Sequence, residues 1–388
     1  MEGTLPPDSA GAWSMSASTS LEAYRALRAD RSRWLPIALD IARGHGLDTG
    51  SPHVFSTGTN LVVGLGEKLI LKIFPPPLRA QFVSERGSLM QLAGRLRLPI
   101  ALDIARSHDL DISAPHVFAT GTNLVVGLGE TLILKIFPPL LRAQFVSERG
   151  SLMQLAGRLH LPIPEIVAEG MRDGWPYLVI TRLTGTLGSE VWPQLAEAQK
   201  ERVLRQIGET IAAVQRAPLG PLANIEPRWD AFMRAQMQGC RARHTRLGLA
   251  QKFLAGLDDL LRDAATLIPM DAPPVILIGE YIPENFLLAC NSDDWSLAGL
   301  FDFGDVRAGW RDYDLLGPSA FMSAGRPGRV RSLLEGFGYD RPDFALKRRL
   351  MALMLLHQAS DLNSHISIEG WQEQARDLVE LQELIWAG

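Results

Sequence analysis

Cysteine is scarce in this sequence, which excludes sites that depend on several cysteines. Cys240 and Cys290 are far apart and fit no CxxC spacing, so neither a disulfide framework nor a structural zinc site is predicted. No run of about 18 apolar residues occurs, which argues against a membrane-spanning helix. The N-terminal segment also lacks a basic stretch followed by an apolar one. We therefore expect a cytoplasmic protein without a membrane partner.

An excess of basic charge is missing as well. The formal net charge of −4 at pH 7 gives no electrostatic reason to bind nucleic acid, whose backbone demands a basic face. With 388 residues, of which 46% are hydrophobic and 21% charged, the chain lies in the ordinary globular range. We expect a folded protein that does not bind nucleic acid and that favours a cationic partner.

Two neighbouring segments of the chain are nearly identical. Residues 35–97, here called copy one, and residues 98–160, copy two, align with a displacement of 63 positions and nine differences. Solenoids need about three or more units to bury a continuous core, so two close copies indicate the tandem duplication of one module. Each copy is predicted to contain a short helix, two β-type runs and a second helix.

Only copy two is followed by two further strand-like segments, within residues 163–186. Copy one runs directly into copy two, so its sheet is predicted to keep an exposed edge. Either copy could complete the sheet, because copy two, if copy one did so, would become a looped-out insertion that costs only roughly 2 kcal/mol more than a short connection. We favour copy two. Copy one is then a loosely folded appendage, or its open edge pairs with another chain to give a homodimer.

The second half of the chain is predicted to be mainly helical. Leu204, Ile207, Ile211 and Val214 step by three, four and three residues, which places them on one helix face. Further helices are predicted within residues 228–240, 250–268, 328–338 and 344–362, and the β-type stretch of this half is predicted at 275–303. The predicted divisions are a tail with a short helix (1–34), copy one (35–97), a strand-rich lobe (98–183) and a helical lobe with an inserted hairpin (184–388).

Polar residues around the β-type stretch suit phosphoryl transfer. This reaction needs metal-neutralised phosphates, an aligned acceptor oxygen and a carboxylate to receive its proton. Asn285 and Asp302 are predicted at adjacent strand ends, where they offer hard oxygen ligands to Mg²⁺. Glu280 lies on the loop before the first strand. A simple turn and a loop cap would explain any one of these residues, but three in order favour a functional site.

A lysine in an apolar run provides the second half of the expected site. Lys135 lies within "LILKIF", and Glu148 follows thirteen residues later on the next predicted helix. A buried lysine is costly unless it is paired, so a Lys135–Glu148 pair that holds nucleotide phosphates is predicted; a snorkelling surface lysine is the alternative. Lys72 and Glu85 are the duplicates in copy one. A loop of small residues, whose amides could cover phosphates, contains Thr120, Gly121 and Thr122.

The order of these segments resembles the aminoglycoside phosphotransferases of the protein-kinase-like superfamily, most closely the hygromycin B phosphotransferase type. The resemblance covers roughly residues 100–388 and rests on "ILKIF", "PYLVITRLTGT", "GEYIPEN", "FDFGD" and "DYDL". It implies a bilobal α+β protein-kinase-like fold with copy one as an addition. The small antiparallel β-sheet N-lobe (98–183) would bind nucleotide, and the mainly helical C-lobe (184–388) would contain the catalytic hairpin and the substrate site. The resemblance also implies ATP- and Mg²⁺-dependent phosphorylation of a hydroxyl on an aminoglycoside or aminocyclitol antibiotic such as hygromycin B. A nucleotide-binding pseudokinase, or a kinase for another hydroxylated metabolite, is the alternative.

The resemblance implies roles for single residues. Asn285 and Asp302 would bind Mg²⁺, and Asp314 would brace the catalytic loop. The residues implied for nucleotide binding are Lys135 at the phosphates, Glu148 beside that lysine, and the backbone near Thr181, Leu183 and Thr184 at the adenine.

The expected base departs from the family pattern. The family places an aspartate within His-Gly-Asp, whereas the matching positions here read Ile278-Gly279-Glu280. The extra methylene of glutamate moves the carboxylate by somewhat over about 1 Å, a displacement that can cost about a hundredfold in rate. Because a carboxylate is retained, we expect a live enzyme with Glu280 as base and keep the pseudoenzyme as the alternative.

The acceptor site is predicted from charge. A polycationic substrate would require carboxylates from the helical lobe, and Asp312, Asp361 and Glu369 are the candidates. His357, Asp361 and His365 lie at helical spacing, which is compatible with a metal site, although capping or a surface network is the favoured interpretation.

Overall fold

The computed structural model describes residues 30–44, 49–50, 52–55, 61–65, 69–73, 98–118, 123–292 and 294–388. The chain divides into two compact units, Met1–Leu96 and Arg97–Gly388. The predicted phosphate loop (Thr120, Gly121 and Thr122) and Glu85 of copy one lie outside the described residues. Within the described ranges, no helix combines the length and the apolar character that crossing a bilayer requires.

The described residues of the first unit form one helix and a three-stranded antiparallel sheet in the order β1-β2-β3. The helix presents small and aromatic side chains every four residues, and β2 alternates buried residues, so the two elements share a core. Its buried members are Trp34, Ala38, Ala42, Leu61, Val63 and Leu65. The elements are α1 (Arg31–Gly44), β1 (His53–Phe55), β2 (Leu61–Leu65) and β3 (Leu69–Ile73).

The second unit begins with a five-stranded antiparallel sheet in the order β4-β5-β6-β8-β7. Strands β4 to β6 belong to copy two, and the two strands that follow copy two complete the sheet through the pairing of β6 with β8. The first predicted β-type run of copy two contains two strands, β4 and β5. The elements are α2 (Leu98–Ser107), β4 (His116–Phe118), β5 (Leu124–Leu128), β6 (Leu132–Ile136), α3 (Arg142–Leu155), β7 (Ile166–Arg172) and β8 (Trp175–Thr181).

The remainder of the second unit is mainly helical, as predicted. The predicted stripe on α5 is confirmed, since Leu204, Ile207, Ile211 and Val214 are all buried. The helix predicted over 250–268 is two helices, because Gly256 interrupts it. The helices are α4 (Gly188–Val191), α5 (Glu197–Arg216), α6 (Trp229–Arg246), α7 (Gln251–Ala255), α8 (Leu257–Leu267), α9 (Leu316–Pro318), α10 (Pro327–Phe337), α11 (Phe344–Leu356), α12 (Leu362–His365), α13 (Trp371–Gln374) and α14 (Leu378–Ile385).

The helix predicted over 344–362 ends earlier than expected. Helix α11 stops at Leu356 because His357 adopts an extended ψ of 136°. Asp361 instead caps α12, where its side chain accepts a hydrogen bond from the amide of Asn363. His357, Asp361 and His365 therefore do not share one helix face. The described residues contain no group of three or more His, Cys, Asp or Glu side chains that could hold a metal ion.

Short strands inserted in the helical part position the candidate site. Strands β11 and β12 form a hairpin, β9 adds to β11, and β10 pairs with β13. The predicted β-type stretch at 275–303 is thus confirmed, while β9 and β13 were missed because two or three residues give no readable periodicity. These strands are β9 (Thr186–Leu187), β10 (Val275–Leu277), β11 (Phe286–Asn291), β12 (Asp294–Leu300) and β13 (Arg307–Gly309).

Candidate active site

Lys135 lies on β6, between β5 and β8, and only 7% of it is exposed. Two carboxylates surround its ammonium group. Its Nζ lies 2.6 Å from Oε2 of Glu148 on α3 and 2.9 Å from Oδ1 of Asp302. A lysine buried in a central strand needs such partners, so the Lys135–Glu148 pair inferred from the sequence is present. A role toward nucleotide stays a prediction.

The charge on this lysine is firmly held. Burial alone would lower the pKa of Lys135, but the negative charges of Glu148 and Asp302 outweigh burial and raise the pKa above its ordinary value. The three side chains therefore place a fixed cation where the five-stranded sheet meets the β11–β12 hairpin. Such a cation can bind phosphate oxygens as a point charge.

Asp314, which belongs to the 3-10 helix Arg311–Leu315, anchors the backbone of the loop from Ile278 to Glu280. The fully buried Asp314 carboxylate accepts a 2.7 Å hydrogen bond from the amide of Gly279 and a 3.3 Å one from the amide of Ile278. Gly279 has φ +82°, a conformation that glycine adopts without a steric cost. The loop that precedes β11 is thus fixed at its entrance, in the place where the sequence suggested a brace.

Replacing Asp314 with Asn should lower the free energy of unfolding by about 1–3 kcal/mol on the acid side, since the new NH₂ group would face two backbone donors. Burial raises the pKa of Asp314 from 3.8 to about 7 against the lowering effect of these donors. A raised carboxyl pKa stabilises the fold below its unfolded value and loses that contribution as the pH rises through the folded value. The gap between wild type and variant should therefore narrow as the pH rises from 3.8 to about 7 and stay constant above that range. Urea unfolding at several pH values within and above this range measures the gap, and a widening gap would contradict this account.

Glu280 is joined to Asn285 at the far end of the same loop. The Nδ2 group of Asn285 donates to Oε2 and to the backbone oxygen of Glu280, both at 3.2 Å. Burial, followed by the negative charges of Asp305 and Asp302, raises the pKa of Glu280, and the Asn285 hydrogen bond opposes this rise. A carboxylate with a raised pKa is a stronger proton acceptor at neutral pH, which is the property required of a base.

Asp302 follows β12 and completes the group. The amide of Phe301 donates a 3.0 Å hydrogen bond to the backbone oxygen of Asn285, which ties the start of β11 to the residue before Asp302. Asp302 has φ +67°, a left-handed conformation that aspartate tolerates better than most residues. Its side chain is 46% exposed. Glu280 thus contacts Asn285, Lys135 contacts Asp302, and the two pairs are connected through the backbone of Phe301.

The oxygen atoms at this site fit a magnesium ion. Within the described residues, the contacts of Asn285 use its Nδ2 group and those of Asp302 use Oδ1. This leaves Asn285 Oδ1 and Asp302 Oδ2 as hard oxygen donors. Mg²⁺ is usually held by one or two carboxylates together with substrate phosphates and water, and not by a cage made of protein alone. Two protein oxygens beside a phosphate-binding cation match that requirement.

A linker between β8 and β9 lies against the hairpin. A Cβ atom on Gly299 of β12 would meet Leu183 Cδ1 at 2.9 Å, and one on Gly185 would meet Leu287 Cβ at 3.0 Å. The amide of Thr181 already donates to the backbone oxygen of Glu165, at 2.9 Å. Among the described residues, the amides of Leu183 and Thr184 donate no hydrogen bond to another backbone group, and their role at the adenine stays a prediction.

Three residues that the sequence did not assign extend the site. Asn123 Nδ2 donates to Gln144 Oε1 at 3.3 Å, and Gln144 Nε2 lies 3.5 Å from Asp305 Oδ1. The sequence contains a signal for two of them, Gln144 and Asp305. Gln144 lies four residues before Glu148, hence on the same face of α3, and Asp305 lies three residues after Asp302.

The predicted acceptor residues do not join this group. Asp312 is fully buried, with its carboxylate 2.6 Å from Arg349 Nε and 2.7 Å from the Tyr339 hydroxyl. It is an interior ion-pair residue, so its predicted substrate role is corrected; charge alone had not revealed its two partners. Asp361 caps α12 and Glu369 is exposed. Neither contacts Glu280, Asn285 or Asp302 among the described residues, and their substrate roles stay predictions.

Residues 113–346 match the profile of the phosphotransferase enzyme family. The match begins within copy two, so copy one lies outside it.

Similar folds occur among solved structures. The GDP complex of wild-type aminoglycoside 2′-phosphotransferase-IIIa has a TM-score of 0.55 and 18% identity, covering 67% of this chain and 89% of that one. A GDP and kanamycin complex of an APH(2″) enzyme has a TM-score of 0.55 and 20% identity, with the same coverage of 67% and 89%. A streptomycin–ATP complex of another APH(2″) enzyme has a TM-score of 0.50 and 14% identity, covering 67% and 90%. At these identities the likeness establishes the fold, and the predicted bilobal kinase-like fold is confirmed.

Proposed function

Since the chain belongs to the phosphotransferase enzyme family, we propose that it transfers the terminal phosphate of ATP to a hydroxyl of an aminoglycoside or aminocyclitol antibiotic such as hygromycin B. The observation that carries this proposal is a pair of neighbouring contact sets, one from Glu148 through Lys135 to Asp302 and one from Glu280 to Asn285. A cation, two metal-ligand oxygens and a carboxylate of raised pKa are the parts that phosphoryl transfer uses. The kanamycin and streptomycin complexes of the similar folds support an aminoglycoside as the acceptor.

On this proposal, the nucleotide is held from the sheet side. Lys135 binds phosphate oxygens while Glu148, which is 2% exposed, keeps the ammonium group in place. The backbone of Leu183 and Thr184 holds the adenine edge. Asn285 and Asp302 would hold Mg²⁺, which neutralises phosphate charge when it is bound. These contacts align the terminal phosphorus for attack, and alignment is the larger part of catalysis in this chemistry.

The carboxylate of Glu280 receives the proton. As the acceptor oxygen forms its bond to phosphorus, the bond from phosphorus to the ADP oxygen breaks and the acceptor hydroxyl loses its proton to Glu280. Asn285 orients the carboxylate through Oε2, and Asp314 fixes the loop that carries it. The raised pKa of Glu280 brings its proton affinity closer to that of a general base working near neutral pH.

Product formation tests the proposal directly. The purified protein is incubated with ATP, Mg²⁺ and a panel that contains hygromycin B, kanamycin and streptomycin, and mass spectrometry detects the addition of one phosphate. We expect one or more members to be phosphorylated. If the protein binds ATP but phosphorylates none of them, the pseudokinase or a kinase for another metabolite is favoured instead.

The metal requirement rests on Asp302. Asp302→Asn should raise the Mg²⁺ concentration that gives half-maximal rate by at least about tenfold, because even residues that only support a metal ligand typically contribute 10–100-fold to affinity. Asp305→Asn is the matched control: it removes the same charge three residues away, from a side chain that we do not propose as a ligand. A magnesium titration of both variants measures the difference. Equal shifts in the two variants would contradict the assignment of Asp302.

A further inference from the structure

The side chain of Gln144 joins two segments of the candidate active site that are far apart in the chain. Its Oε1 atom accepts a 3.3 Å hydrogen bond from Nδ2 of Asn123, the residue that precedes β5. Its Nε2 group lies 3.5 Å from Oδ1 of Asp305. Gln144 lies in the first turn of α3, one turn before Glu148, and is half-buried. The transfer mechanism described above gives this residue no role.

The carboxylate of Asp305 fixes the orientation of the Gln144 amide. An ionised carboxylate only accepts hydrogen bonds, whereas a glutamine amide has one donor end and one acceptor end. The donor end of Gln144 therefore faces Asp305, and its acceptor end is left for Asn123. From Asn123 to Asp305, each donor thus meets an acceptor.

Gln144 also packs against the backbone between Asp302 and Asp305. A Cβ atom on Gly304 would meet Cβ of Gln144 at 3.5 Å, Cδ of Gln144 at 3.7 Å and Oδ1 of Asp302 at 3.7 Å. Gln144 and the Asp302 carboxylate thus border the same space beside Gly304. The left-handed backbone of Asp302, with φ +67°, persists only where surrounding contacts hold it. Lys135 supplies one such contact at Oδ1, and Gln144 supplies others at Gly304 and Asp305.

We propose that Gln144 is a positioning residue for the metal–nucleotide site, where it holds the segment from Asp302 to Asp305 against α3. In this arrangement Lys135 occupies Oδ1 of Asp302, and Oδ2 remains for Mg²⁺. The inference rests on the proposed function, in which Asp302 is a metal ligand. Partners that orient a metal ligand typically contribute 10–100-fold to metal affinity. Gln144 should therefore act on the Mg²⁺-dependent part of ATP binding and not on the part that Lys135 provides.

Nucleotide binding tests this role without catalysis. Isothermal titration calorimetry measures the dissociation constant of ATP with saturating Mg²⁺ and, separately, with EDTA. Gln144→Leu keeps the approximate size of the side chain but removes both polar contacts. It should raise the dissociation constant in Mg²⁺ roughly tenfold and leave the value in EDTA unchanged, because Lys135 and Glu148 stay paired. The value in EDTA also shows that the variant is folded.

A donor–acceptor swap tests the contacts themselves. Gln144→Glu should weaken binding in Mg²⁺ at least as much as Gln144→Leu, since the new carboxylate faces that of Asp305. The double variant Gln144→Glu/Asp305→Asn keeps the net charge of the wild type. Its new glutamate can accept from Asn123 and from the new asparagine, so the wild-type dissociation constant should return. The matched control is Gln154→Leu, which removes a hydrogen bond to the backbone oxygen of Pro218 from the other end of α3 and should change neither dissociation constant.

Three results would overturn the proposal. The first is a wild type whose ATP affinity does not depend on Mg²⁺. The second is a Gln144→Leu variant that is unchanged in Mg²⁺, or that is weakened equally in Mg²⁺ and in EDTA. The third is a double variant that binds no better than Gln144→Glu. If the binding results are as expected but no acceptor is phosphorylated, the role of Gln144 stands and the proposed transfer reaction is contradicted.

Discussion

Lys135→Met is expected to lower kcat/KM for phosphoryl transfer by roughly 10²–10³-fold, the range found when one group that stabilises transition-state charge is removed. The same substitution at Lys72 should leave kcat/KM unchanged. The two lysines occupy the same position of an identical strand sequence. They differ in setting, because β6 lies within the five-stranded sheet beside Asp302, whereas β3 belongs to the separate sheet of copy one.

The structure also indicates how to separate catalysis from folding in this test. Removing the ammonium of Lys135 leaves the buried Glu148 carboxylate without its cation. This should lower the free energy of unfolding by about 3–5 kcal/mol, the usual effect when a buried ion pair loses one partner. The double variant Lys135→Met/Glu148→Gln removes that charge as well, so it should recover thermal stability but not activity. Steady-state kinetics and thermal unfolding of the two single lysine variants and the double variant provide both readouts. A Lys72→Met variant that loses activity as strongly as Lys135→Met would contradict the assignment of copy two.

Glu280→Gln is expected to lower kcat by roughly 10²–10⁴-fold, the usual contribution of a general base, while the affinity for ATP changes little. Glutamine retains the size and the hydrogen bonding of the side chain but cannot take the proton. Glu280→Asp should be intermediate, because withdrawing the carboxylate by about 1 Å can cost roughly a hundredfold.

The pH profile gives this prediction a second readout. The base must be ionised to accept a proton, so the wild-type rate should fall as the pH falls through the pKa of Glu280. Burial and the nearby carboxylates raise that pKa above its ordinary value of 4.5, so the acid limb should lie above that value and should be absent from Glu280→Gln. If Ile278→His/Glu280→Asp gains a large activity over an inactive wild type, the chain is a pseudokinase in its present form.

Much of the candidate active site could be predicted from the sequence because its residues lie in short segments with recognisable patterns. A lysine inside an apolar run predicts a buried ion pair, and Lys135 forms one with Glu148. Glu280, Asn285 and Asp302 flank two apolar strands, so their strand ends meet once the hairpin forms. The brace at Asp314 followed from the family resemblance, and the hydrogen bonds to Gly279 and Ile278 show the contacts that it makes.

Other features depend on partners that are distant in the chain. Nothing around Asp312 indicates that Arg349 and Tyr339 take up its carboxylate. The contact of Gln144 with Asp305 joins residues 161 positions apart, and no pattern in the sequence around either residue predicts it. The early end of α11 at Leu356 was missed for a different reason. The apolar run of this helix continues to its last turn, and the residue types around His357 do not indicate that its backbone is extended.

The contacts that cross from the sheet to the hairpin have a consequence for turnover. Lys135 and Gln144, both on the sheet side, reach Asp302 and Asp305 within one tetrapeptide. On the proposed function, a rotation of the sheet away from the hairpin that released ADP would break both contacts together, and Lys135 would keep Glu148 as its remaining carboxylate partner. ADP release would then coincide with the loss of the Lys135–Asp302 ion pair, which the binding of the next nucleotide would have to restore.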